Sequence, residues 1–360
     1  MRCPLFVLLG ALLVTTHAFL PHAAWSAVRS PGSNKREHGS SARRGGALSM
    51  GPLTAARKAA FLWKPKERSD EELKKGIAGF YDASSALWED MWGEHMHHGY
   101  YEEGKRPGTI AEHRAAQVSM VDRSLDWAGL ADQPVAPATG VDVGCGIGGS
   151  SRHISRRFGT SMKGITLSPF QRERAEDISK KAGLEDKCQF QVADALDMPF
   201  GDGEFDLVWS MESGEHMPKK RDFVRELGRV CAPGGRIIIV TWCHRDLAPG
   251  EEGLAPSEER LLASINRAYY LPRWCSVADY VGYCEEGGLE DIRRADWTDN
   301  IQYFWPAVIR SSLTTRGILG LLKSGPVTIR GAIAMLLMVR GFNKGLVKFG
   351  LITATKPLRE

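Results

Sequence analysis

Val141-Asp142-Val143-Gly144-Cys145-Gly146-Ile147-Gly148-Gly149 constrains this chain more than any other stretch. An apolar run enters a turn with four glycines in six positions. That pattern requires a buried strand that ends in a tight turn and opens a helix near Gly149. Glycines there let the backbone approach a ligand closely, because no Cβ intervenes. Strand–turn–helix units of this kind build open α/β sheets, which bind ligands at the carboxyl ends of their strands.

The flanking sequence keeps the same rhythm. Strands are expected at 140–143, 162–167, 189–193, 205–210 and 236–242, with helices at 149–158, 169–182 and 219–230. The alternation predicts a doubly wound, mostly parallel, Rossmann-like α/β sheet with helices on both faces. It gathers Gly144, Thr166, Asp194, the segment from Met211 to His216, and Trp242 around one crevice. Ahead of the sheet, helices are expected at 69–92, capped by Ser69 or Asp70, and at 109–127. Behind it come helices at 257–270 and 276–286, a strand at 291–297 and a final strand at 346–355. Residues 301–345 read as mostly helical, broken at Pro306 and at Gly325-Pro326.

Gly144-x-Gly146-x-x-Gly149 also satisfies the dinucleotide-binding spacing, a weak signal by itself. A dinucleotide site wants a carboxylate after the second strand for the ribose. That strand ends in Gly164-Ile165-Thr166-Leu167-Ser168-Pro169, which has none. Asp142, two positions before the first glycine, would repel a pyrophosphate and hold an ammonium. S-adenosylmethionine carries an ammonium and a sulfonium, so it is the expected cofactor. Its expected contacts are Asp142, Gly144, Cys145, Gly146, Gly148, Gly149, Thr166 and Gln171. Asp194 would accept from the adenine amino group, and the Ala195 N–H would serve the ring nitrogen. Met211 and Tyr81 complete the set.

Methyl transfer needs no nucleophile from the protein, only an in-line approach to the sulfonium and a destination for a proton. Met211-Glu212-Ser213-Gly214-Glu215-His216-Met217 follows the fourth strand and places two carboxylates and an imidazole at the catalytic edge. Glu212, Glu215 and His216 are the candidate acid/base groups, with His97 and His98 as further candidates. The latter lie in an aromatic and histidine-rich segment, with Trp88, Trp92, His95, Tyr100 and Tyr101, that is expected to act as a lid. Aromatic faces suit a sulfonium, although Trp88 and Trp92 could equally pack as ordinary core. Metal binding is not expected, since His95, His97 and His98 have no carboxylate or cysteine at ligand spacing.

Charge separates the front of the chain from the rest. Of the net +4, the first 50 residues hold six Lys/Arg against one acid, which leaves the body near neutral. A near-neutral body argues against a nucleic-acid surface. Residues 1–50 read as a bipartite leader: a signal peptide over about 1–18, then an acid-poor transit-like stretch over 19–50. The expected divisions that follow are a helical lid (51–130), a cofactor-binding core (131–245), and an acceptor-binding helical cap with the last strands (246–360). The seven cysteines form no Cys-x-x-Cys pair and read as reduced structural thiols. Trp305 to Lys344 interleaves basic and apolar residues, as helices on a membrane surface or around a lipid tail do, and equally as a core-packed helical cap with a solvated basic face does.

With these segments in place, the chain resembles the tocopherol methyltransferase family of class I S-adenosylmethionine-dependent enzymes. The likeness spans about residues 77–357. It rests on Phe80-Tyr81-Asp82, Glu94-His95-Met96-His97-His98-Gly99, the glycine turn, Gly164 to Pro169, and above all Trp209-Ser210-Met211-Glu212-Ser213-Gly214-Glu215-His216-Met217-Pro218. The resemblance implies a seven-stranded sheet whose last strand is antiparallel. It implies methylation of the chromanol ring of gamma-tocopherol at carbon 5, and of delta-tocopherol and tocotrienols, in a plastid and against its membrane. The alternatives on the same scaffold are a small-molecule N-methyltransferase and a sterol C-methyltransferase. A lipid-binding protein without catalysis is the rival from another class, and the intact glycine turn, Asp142 and Asp194 speak against it.

Overall fold

The structure is a computed structural model and describes residues 68–105 and 107–358. The leader expected over residues 1–50 lies outside the described residues. Helix α1 (Asp70–Trp92) starts where Ser69 and Glu72 exchange side-chain-to-backbone bonds in a capping box, and three acids in its first turn face the positive helix end. It stops at Gly93, whose φ of 89° is left-handed. Helix α2 (Ile110–Trp127) starts the same way, with Thr109 and Glu112.

Seven strands follow: β1 (Thr139–Val143), β2 (Ser161–Thr166), β3 (Cys188–Val192), β4 (Phe205–Met211), β5 (Cys231–His244), β6 (Glu290–Asp296) and β7 (Val347–Thr355). They lie in the order β3-β2-β1-β4-β5-β7-β6. The first five pair in parallel, and β7 runs antiparallel between β5 and β6. The intervening helices are α3 (Gly149–Phe158), α4 (Pro169–Lys181), α5 (Lys220–Val230), α6 (Pro256–Tyr269), α7 (Val277–Glu286), α8 (Phe304–Ser312) and α9 (Thr315–Asn343).

Both sheet faces are buried, so the central strands are apolar on both sides. Along β4, Leu207, Trp209 and Met211 point to one face and Val208 to the other. The first face packs under α2 and the carboxy-terminal cap, and the second against Phe223, Leu227 and Tyr280. Fully burying a side chain such as Leu207 contributes about 1.5–3 kcal/mol.

Two expectations require correction. Strand β5 is 14 residues long and begins at Cys231, five residues before the expected start. Pro233, Gly234 and Gly235 masked that beginning, although Phe205 of β4 pairs with Cys231 there. The expected breaks at Pro306 and Gly325-Pro326 are also absent. Pro306 sits in the first turn of α8, where its missing N–H would have no intrahelical partner. Helix α9 runs through Gly325-Pro326, and the break falls instead at Leu313-Thr314, where Thr314 caps α9. An interior proline costs a helix about 3 kcal/mol; packing of α9 on α1, α6 and α8 offsets it. Among the described residues, no helix is long and apolar enough to cross a membrane.

Candidate active site

A cleft of about 1090 Å³ opens at the carboxyl ends of β1, β2, β3 and β4. Its floor is the glycine turn. Gly144 has a φ of 86°, and a Cβ there would meet Ser213 Cβ at 2.3 Å. The Ser213 hydroxyl donates to the Val143 carbonyl at 2.6 Å, which binds the end of β4 to the turn. Asp142 is buried and accepts from the Ser151 hydroxyl at 2.6 Å. Burial raises its pKa to about 6, against the lowering effect of Ser151. Thr166 donates to Gln171 Oε1 at 2.7 Å. Asp194, at the end of β3, accepts the Leu196 N–H at 3.0 Å and forms an ion pair with Lys74 of α1.

Every expected cofactor residue lines this cleft except Gly148. Gly148 serves the turn from behind: a Cβ there would meet Phe190 and Arg152, not a ligand. Helix α1 roofs the cleft through Leu73, Lys74, Ile77, Ala78 and Tyr81. It is tied down by Ser85 to Gln171 at 3.1 Å, by Ser168 to Asp82, and by Glu89 to Arg174 at 2.6 Å.

A second, far more apolar cleft of about 1140 Å³ lies between α1, α8, α9 and the ends of β4 and β5. Trp88, Trp92, Trp242, Tyr269, Phe304 and Trp305 are among its walls. The two clefts share Tyr81, Met96, His97, Glu212 and His216. That partition is where a group in one cleft can reach a group in the other.

All five candidate acid/base residues line the second cleft, although the chain separates His98 from Glu212 by 114 positions. Glu212 accepts from His98 twice, at 2.6 Å from the backbone N–H and at 2.8 Å from Nδ1. Burial pushes its pKa up, but His98 outweighs that and holds it below the usual carboxylate range. Glu215 accepts from Thr241 at 2.8 Å; burial, reinforced by Glu212, pushes its pKa up to about 8. Tyr81 Oη lies 3.0 Å from His216 Nε2. Burial pushes the Tyr81 phenol well up and, with Lys220, pushes His216 down to about 4. At neutral pH the partition therefore combines an ionised Glu212 with a neutral Tyr81 and His216, and the second cleft adds a protonated Glu215. His97 Nδ1 bonds the His98 carbonyl at 2.9 Å, and burial lowers its pKa.

Sequence reasoning missed Lys74 and Lys220. The buried Lys220 ammonium donates to the carbonyls of Met217 at 2.9 Å and Arg273 at 2.8 Å, fixing the turn that carries Glu215 and His216. Each lysine reads as a surface helix charge, and nothing local marks either as a clamp.

The sheet order, the glycine turn and the paired clefts define a class I S-adenosylmethionine-dependent methyltransferase, and S-adenosylmethionine is its cofactor. The family model described as "Methyltransferase domain" matches residues 141–239. "Probable tocopherol O-methyltransferase, chloroplastic" of Oryza sativa subsp. japonica is 58% identical over 79% of this chain and 79% of its own length. "Tocopherol O-methyltransferase, chloroplastic" of Arabidopsis thaliana is 54% identical over 81% of this chain and 84% of its own. A solved geranyl diphosphate methyltransferase in complex with SAM superposes with a TM-score of 0.58 at 25% identity, covering 73% of this chain and 98% of that one. The chain belongs to the tocopherol O-methyltransferase family.

Proposed function

We propose that this protein methylates the chromanol ring of gamma-tocopherol at carbon 5, giving alpha-tocopherol, and converts delta- to beta-tocopherol by the same step. The observation that carries this reading is the second cleft: apolar and aromatic in its walls, with polar groups where it meets the cofactor cleft. An amphiphile with a prenyl-type tail and a phenolic head fits that polarity. S-adenosylmethionine supplies an electrophilic methyl group. Asp194 and the Ala195 N–H would hold its adenine, and the glycine turn with Asp142 would hold its amino-acid end.

The target carbon lies ortho to the phenol hydroxyl. Drawing the phenol proton toward a base puts electron density on that carbon, and the ring later loses its own proton. Glu212, Glu215, His216, His97 and His98 are the groups available for these transfers, and a general base contributes about 10²–10⁴-fold. Of the lid expected over 51–130, residues 51–67 lie outside the described residues; the described part would act as lid, 131–245 as cofactor core and 246–360 as acceptor cap.

The reaction would take place in a plastid, against the membrane that holds the substrate. Arg310, Lys323, Arg340 and Lys344 are exposed along α8, α9 and the end of α9, which suits docking on an anionic lipid surface. The test is incubation of the chain lacking residues 1–50 with labelled S-adenosylmethionine and a panel of tocopherols, sterols and indole alkaloids. Label at carbon 5 of gamma-tocopherol is expected; label only on nitrogen overturns the acceptor assignment.

A further inference from the structure

Several buried nitrogens at the acceptor cleft have no hydrogen-bond partner among the described residues. They include His98 Nε2 and the indole Nε1 atoms of Trp242 and Trp305. Buried polar atoms are seldom left unpaired in native proteins, and these three belong to residues that line one cleft. The three rings are neighbours. The His98 centroid lies 5.6 Å from that of Trp242 and 5.2 Å from that of Trp305, and the two indoles are 6.0 Å apart.

The His98 ring is also held in place. Glu212 grips both its backbone N–H and its Nδ1. Glu212 is itself held in a left-handed conformation, with a φ of 49°, by its own N–H donating to the Val240 carbonyl at 2.7 Å. A side-chain-bearing residue in that conformation is strained, and such strain gathers at working sites. The carboxylate orients the ring through Nδ1, and Nε2 is left without a partner among the described residues.

We propose that His98 Nε2 takes the proton of the acceptor's phenol while the Trp242 and Trp305 indole N–H groups donate to the oxygen left behind. This rests on the chromanol reading above. The step breaks the O–H bond, forms an N–H bond, and leaves the electron pair on oxygen, where the ring can deliver it to the ortho carbon. The imidazolium formed is stabilised by ionised Glu212. When the methylated ring carbon loses its own hydrogen to water, His98 returns its proton to the oxygen, and the net reaction releases one proton. Glu212 is thus a positioning residue, and the two tryptophans form a phenolate-binding hole within an aromatic box.

The test uses the full chain with S-adenosylhomocysteine and 5-nitrochroman-6-ol, a chromanol blocked at the methylated carbon whose phenolate is coloured. In the native protein the acidity constant of the bound probe should be at least tenfold greater than that of the free probe, a fall in its apparent pKa. His98→Gln should abolish that shift, and Trp305→Phe, which keeps the ring and removes the N–H, should reduce it. His98→Gln should also lower kcat/KM for gamma-tocopherol by about 10²–10⁴-fold, with the deficit shrinking as pH rises toward the phenol's own ionisation. A folded His98→Gln protein that binds S-adenosylmethionine normally and still ionises the probe overturns the proposal. Should His98→Gln not fold, unchanged probe ionisation in both Glu212→Gln and Trp305→Phe overturns it. Native enzyme that methylates no chromanol overturns the acceptor reading first and this step with it.

Discussion

The Tyr81 hydroxyl stands 3.0 Å from His216 Nε2, and both side chains face the cofactor cleft on one side and the acceptor cleft on the other. One residue comes from helix α1 and the other from the turn after β4, so their bond closes the partition across 135 positions of sequence. Tyr81→Phe keeps the ring and leaves the buried His216 Nε2 unpaired. We expect a loss of about 1–3 kcal/mol of stability and a larger fall in kcat than in donor affinity, read by thermal melts, steady-state kinetics and calorimetry.

Glu215 gives stability a definite pH dependence. Its folded-state pKa is raised to about 8 by burial and by Glu212. Its contribution is therefore fully present below the unfolded carboxyl pKa, and is lost as pH rises from there through 8. Glu215→Gln should melt higher than native protein at pH 9, by about 2–4 °C for each kcal/mol relieved, with the gain vanishing near pH 4. Equal melting differences at both pH values would show that Glu215 does not titrate in this way.

His216 acts in the opposite direction. Its folded pKa is lowered to about 4, chiefly by burial. The stability it contributes is present above the unfolded imidazole value and is lost as pH falls from about 6.5 through 4. His216→Asn should flatten the acid limb of the melting-temperature curve between those values. An unchanged acid limb would place the titration elsewhere.

Gly144→Ala is expected to remove donor binding. The substitution puts a Cβ 2.3 Å from that of Ser213 and holds alanine at a φ of 86°. The backbone strain alone costs about 1–3 kcal/mol, and relief of the clash moves the turn that forms the cleft floor. Calorimetry with S-adenosylmethionine should show no heat of binding while the far-ultraviolet spectrum stays near native.

Lys220→Met isolates a clamp from the chemistry. The buried ammonium satisfies the Met217 and Arg273 carbonyls, which methionine cannot. Each orphaned carbonyl costs about 1–3 kcal/mol, so chemical denaturation should show a clear loss of stability. Activity in the remaining folded fraction should fall because the Glu215–His216 turn has lost its anchor.

The sheet was legible because its strands announce themselves. Val141-Asp142-Val143 and the β4 residues from Phe205 to Met211 are apolar runs ended by turn residues, and the ends of both lie where they were expected to within a residue. Capping boxes at Ser69 and Thr109 likewise mark their own helices. Features decided by tertiary packing were not legible. A helix that crosses Gly325-Pro326 contradicts local propensity, and only its neighbours explain it. At the site, residue types were readable but partnerships were not. Glu212 and His98 were both visible candidates, yet their mutual bond depends on how the segment after α1 lies on the sheet. Gly148 looked like its neighbours and turned out to face Phe190.

Helix α1 contributes lining to both clefts and is fastened to α4 by hydrogen bonds and an ion pair. If this helix opens as a lid, door and wall are the same object: spent donor could not depart without disturbing the seat of a methylated lipid, and an oily tail lodged against the helix would delay its opening. The pace of successive turnovers would then depend on the length of the tail as much as on the reactivity of the ring.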